Sequence, residues 1–149
     1  MSLGLRFQQK LRGTYHRIAD PGAELPASLD VEVELPLWAL VRAEEGRLHG
    51  HLRADGYADA PIRGRYRVDL LARKIVYEFH FAAPDGRSRR FHGETVFDIT
   101  RPVRAIEDLV GRIYDADRED ARVILSVPFD AGLRRMLRSL RANLTRGIQ

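Results

Sequence analysis

Residues 75–99, IVYEFHFAAPDGRSRRFHGETVFDI, decide the fold. Two alternating runs flank Ala83-Pro84-Asp85-Gly86-Arg87. Pro84 and Asp85 suit the centre of a type I turn, and Gly86 suits the left-handed position after it, which makes a short loop with a G1 bulge. That loop pairs Ala83 with Arg87, and the register follows by counting outward. One face then carries Ile75, Tyr77, Phe79 and Phe81 against Phe91, Gly93, Thr95 and Phe97. The other carries Val76, Glu78, His80 and Ala82 against Arg90, His92, Glu94, Val96 and Asp98. A tighter Asp-Gly turn would slip the register by one residue and mix the two sets, so the clean segregation selects the bulged turn.

The same period extends in both directions. Leu29, Val31, Val33 and Leu35 alternate with Asp30, Glu32 and Glu34, which is a strand with one buried face. Phe7, Gln9, Leu11, Gly13 and Tyr15 form a weaker strand ending at Asp20-Pro21-Gly22. Leu48, Gly50 and Leu52 alternate with Arg47, His49, His51 and Arg53; Ile62, Gly64, Tyr66, Val68 and Leu70 alternate with Arg63, Arg65, Arg67 and Asp69. Ala54 to Pro61 reads as a loop between them. Leu37 to Glu45 reads as a short helix with Gly46 as its C-cap. A helical turn is expected from Thr100 to Glu107, then strands over Leu109–Tyr114 and Arg122–Phe129 around the polar turn Asp115 to Asp120. Strand, short helix and hairpin thus recur in residues 29–70 and 91–129, the order a duplicated unit would give. Asp130 is a good N-cap for a terminal amphipathic helix over 130–145, with Leu133, Met136, Leu137, Leu140 and Leu144 on one face and arginines on the other.

These elements predict a mainly β, single-domain antiparallel barrel-like fold over residues 5–129, of about eight or more strands, followed by that C-terminal helix. The 149 residues suffice for one core. The chain has no cysteine, which excludes disulfides, thiolate metal sites and cysteine nucleophiles. It has no apolar run long enough to span a membrane and no signal peptide at its start, so a cytoplasmic location is expected. All but Lys10 and Lys74 of its 25 basic residues are arginine, and 21 acidic residues are interspersed among them. The net charge of +4 is first a matter of solubility.

Several constellations carry chemistry. Glu78, His80, His92 and Glu94 share one face of the central hairpin; inside a barrel they could hold zinc, iron or manganese, or run acid–base chemistry. On an outer face the same residues are cross-strand polar pairs, Glu78 with His92 and His80 with Arg90. His49-Gly50-His51 has a metal-ligand spacing, but Arg47 and Arg53 on the same face disfavour a cation. Arg47, Arg53, Arg63, Arg65 and Arg67 form a stripe that could meet phosphates, yet Asp30, Glu32 and Glu34 are expected to neutralise much of it, and no exposed aromatic set interleaves with it. Nucleic-acid binding is therefore not expected. The sequence has no nucleophile elbow, phosphate loop or dinucleotide fingerprint, and no cofactor is implied. Tyr66, Tyr77, Phe79, Phe81, Phe91 and Phe97 instead make an aromatic barrel lining suited to a small apolar ligand.

Leu11-Arg-Gly-Thr-Tyr15, His92-Gly93-Glu94 and Ile113-Tyr-Asp-Ala-Asp117 add a resemblance over about residues 7–129. The chain resembles the small β-rich accessory module of some bacterial GMC-type, cholesterol-oxidase-like flavin oxidoreductases. The resemblance implies a non-catalytic partner or substrate-handling module; the flavin-binding sequence is absent, so no catalytic residue is carried over. Three readings stand: a non-catalytic bacterial barrel that binds a small apolar ligand or a protein partner such as an oxidoreductase, a metal-dependent protein using the Glu/His cluster inside the barrel, and a homodimer paired through strand edges.

Overall fold

Alternating apolar and polar side chains leave each strand one face to bury, and closing the sheet on itself buries all of those faces at once. The computed structural model describes residues 4–36, 45–69, 72–97 and 108–127. Among them eight strands run in chain order around a closed antiparallel barrel. They are β1 (Gly4–Arg17), β2 (Asp20–Pro36), β3 (Gly46–Ala54), β4 (Ala58–Asp69), β5 (Lys74–Ala82), β6 (Ser88–Val96), β7 (Leu109–Asp115) and β8 (Arg118–Ser126). Pairing of Arg12 with Ser126 through Arg17 with Ala121 joins β8 to β1 and closes the ring.

The central hairpin has the register read from its turn. The Ala83 N–H donates to the Arg87 carbonyl (3.0 Å), the Gly86 N–H donates to the Ala83 carbonyl (2.9 Å), and Gly86 has φ 82°. Phe79 lies opposite Phe91, and Glu78 opposite His92. The oily face points inward: the Phe79 and Phe91 rings stack at 4.4 Å with only 8° between their planes. Phe91 also covers a gap between β6 and β7, because a Cβ on Gly93 or Gly111 would lie 2.7 or 2.4 Å from its ring. Tyr66 meets Tyr77 edge to face at 5.0 Å, and Phe7 meets Tyr66 at 6.0 Å. Burying each such ring contributes about 1.5–3 kcal/mol, so this stack dominates the core.

Several boundaries differ from the sequence expectation. Only Asp55, Gly56 and Tyr57 form the β3–β4 turn, closed by the Tyr57 N–H on the Ala54 carbonyl (2.9 Å) with Gly56 at φ 74°. Residues 58–61, expected as loop, belong to β4, with Ala58 opposite Ala54 and Pro61 opposite His51. Asp20-Pro21-Gly22 opens β2 instead of ending the N-terminal strand, which stops at Arg17 before a turn at Ile18-Ala19. Gly46 begins β3 and has no positive φ, so it is not a left-handed C-cap. The helices expected over 37–45, 100–107 and 130–145, and with them the helical part of the duplicated order, lie outside the described residues except for Glu45. Among the described residues no helix is long and apolar enough to cross a membrane.

The seam between β4 and β5 is paired over only part of the two strands' length. β4 and β5 pair from Asp69–Lys74 to Arg63–His80 and then part. Both strands continue past that point, β4 on β3 as far as Ala58 and β5 on β6 as far as Ala82. Proline has no N–H for a ladder and is confined to edges, so Pro61 fits the start of the parting. Gly64 lies just inside it, where a Cβ would sit 2.0 Å from the Glu78 carbonyl oxygen; only glycine lets the strands approach so closely before they diverge.

Candidate functional site

The two faces of the central hairpin separate the readings made from the sequence. Tyr66, Tyr77, Phe79, Phe81, Phe91 and Phe97 all face inward and are buried. Five of them pack deep in the core, whereas Phe81 also reaches the seam between β4 and β5. Glu78, His80, His92 and Glu94 face outward, the second of the two placements left open by the sequence: with Phe79 and Phe91 turned in, alternation turns these four out. His92 lies between two carboxylates, with Nδ1 at 3.4 Å from Glu78 and Nε2 at 3.2 Å from Glu94. Its hydrogen bond to Glu94 is the main reason the Glu94 carboxyl is held below the usual carboxylate range, with Lys74 adding to the effect at 3.4 Å. Arg90 lies 3.8 Å from Glu78. The carboxylates are thus engaged by cations and an imidazole, and no group of three or more metal-ligating side chains is assembled among the described residues.

The paired histidines of β3 also look outward, each toward its own carboxylate. His51 hydrogen-bonds Asp59, which keeps that carboxyl below its ordinary range, and His49 lies 3.8 Å from Glu32. The acidic stripe of β2 does not neutralise the arginines of β3 and β4 as expected. It turns to β1 instead: Arg6 meets Glu34 at 2.9 Å, and Arg12 meets Asp30 at 2.7 Å. Within the arginine stripe, Arg53 has Asp59 at 3.9 Å and Arg65 has Glu45 at 3.4 Å. Arg63 has no carboxylate partner among the described residues.

Of the inward polar residues, Arg89 escaped the sequence reading. Arg89 lies opposite Phe81 on the core side of β6, with only 8% of its side chain exposed. Its guanidinium meets Asp85 at 2.8 Å and Asp115 and Asp120 at 3.6 Å each. Tyr57 donates to Asp120 and Tyr15 to the Asp55 carbonyl, so a polar network closes the end of the barrel where the tight turns lie. Gln9, also buried, accepts the Tyr77 hydroxyl at 2.6 Å. Position parity would have found Arg89, which has the parity of Phe91; Gln9 was already in the run with Phe7 and Leu11.

The site brought together by the fold is the seam itself. Where β4 and β5 part, a cleft of about 590 Å³ opens on the outer surface. Pro61, Ile62, Phe81 and Ala82 supply its apolar lining, and Arg63, His80 and His49 its polar side. Arg63 and His80 are the last paired residues before the parting, so they stand side by side at its inner limit. An apolar cleft with a few convergent polar groups is the usual form of a small-molecule site. Comparison with family models, with curated proteins and with solved structures returns no match.

Proposed function

We propose that this barrel is a non-catalytic binding module that takes a small apolar molecule in the cleft between β4 and β5. The parting of two strands that both continue beyond their last shared pair carries this reading. The parting leaves Pro61 and Ala82 exposed on its two sides, over a floor to which the buried Ile62 and Phe81 contribute. The aromatic set proposed from the sequence as a ligand lining thus contributes through Phe81, while its other members support the wall from within. The resemblance to the accessory module of flavin oxidoreductases, which implies a non-catalytic partner or substrate-handling module, runs in the same direction.

Decan-1-ol is a suitable neutral probe. Ala82 is exposed and lines the cleft, so Ala82→Trp fills it without disturbing the core. Titration calorimetry is expected to show saturable decan-1-ol binding to the parent protein and at least a tenfold loss in Ala82→Trp, since a filled site excludes its occupant. Binding of equal strength in the two proteins, or none in either, would overturn the proposal.

A further inference from the structure

The cleft has a charged flank that no carboxylate among the described residues balances. Following cross-strand partners around the outer surface from β2 to β7 gives one row: Glu32, His49, Arg63, His80, Arg90, Tyr114. Its ends are satisfied, with His49 at 3.8 Å from Glu32 and the Arg90 guanidinium 4.5 Å over the Tyr114 ring. Its centre is not. Arg63 has a histidine on each side, and neither Arg63 nor His80 has an acidic partner among the described residues. Placing basic groups opposite one another on a sheet weakens pairing unless something offsets it. These two residues also mark the limit of β4–β5 pairing, so their side chains flank the mouth of the apolar cleft.

We infer that the molecule taken by the cleft carries a carboxylate, held by Arg63 and His80 while its apolar part lies along Pro61, Ile62, Phe81 and Ala82. This rests on the binding function proposed above and adds the chemistry of the head group. A guanidinium presents a planar fork that matches a carboxylate, and a histidine ring offers an N–H in either tautomer. The shape of the site favours a free small acid over an extended polyanion. Along the hairpin the neighbouring outer row places Glu78 directly opposite Arg65 and His92, which interrupts a continuous basic track.

Decanoate and decan-1-ol share a chain and differ in the head group, so calorimetry on the full chain separates this inference from the one beneath it. The parent protein is expected to bind decanoate about tenfold or more tightly than decan-1-ol, as a charge-assisted hydrogen bond allows. In Arg63→Gln with His80→Gln that preference is expected to vanish, with decan-1-ol binding retained and the circular dichroism spectrum unchanged. Equal binding of the two probes by the parent protein, or a preference that survives the double substitution, would overturn the carboxylate assignment and leave the apolar cleft standing. Failure of both probes to bind would overturn both. Association with phosphatidylglycerol vesicles without binding of free decanoate would also contradict the assignment.

Discussion

Tyr15, Tyr57 and Tyr66 show at the residue scale how the barrel keeps polar atoms in an apolar interior. Burial is the first cause that raises the pKa of each; for Tyr57 the hydrogen bond donated to Asp120 adds to it, and for Tyr66 the neighbouring Tyr77 does. The folded state therefore favours the neutral phenol more than the unfolded chain does. That contribution to stability is fully present below the unfolded value of about 10 and is lost as the pH rises through and beyond it. Phenolate absorbance and circular dichroism followed together in a base titration should show these three tyrosines ionising only as the barrel unfolds. Ionisation of every tyrosine near the ordinary value, with the dichroism intact, would contradict the burial described. Little of this was legible in the sequence. Parity places Tyr15 and Tyr66 inward, but the partnership of Tyr57 with Asp120 joins residues far apart in the chain, and only closure of the barrel brings them together.

For single elements, turn chemistry was the most legible feature. Pro84-Asp85-Gly86 fixed both the bulge and the register of the β5–β6 hairpin, because one left-handed residue determines which side chains face each other. Gly86→Ala should therefore destabilise the protein by about 1–2 kcal/mol, the penalty of a Cβ in that conformation, since open space around the position leaves no steric clash to add. Equilibrium urea unfolding measures it, and an unchanged midpoint would mean that the turn relaxes to another type at no cost. The β3–β4 turn was only partly legible. Asp55-Gly56 was a readable turn, yet Pro61 drew the expected loop out to residues 54–61 where the turn takes only 55–57. A proline in a strand reports a missing ladder bond, and sequence alone does not say whether the strand ends or its neighbour departs. Here the neighbour departs, and that departure makes the cleft.

Over the whole molecule, alternation was enough to specify a closed antiparallel barrel, because eight half-buried strands have few other ways to bury one face each. Alternation also sorted the hairpin into an aromatic side and a titratable side. Which side faces in depended on volume: Phe79, Phe91 and the tyrosines fill the interior, leaving Glu78, His92 and Glu94 to pair in solvent. The distribution of charge was less legible. The acidic residues of β2 have basic neighbours on both sides, and the structure turns their strongest pairs toward β1; Arg63 on β4 has histidines as its cross-strand neighbours on both sides. The most direct test is a backbone amide chemical-shift map of the protein titrated with decanoate. The largest shifts should centre on Ile62, Arg63, His80, Phe81 and Ala82 and leave Tyr77, Phe91 and Phe97 unmoved; shifts concentrated on those interior aromatics would contradict the cleft as the binding site.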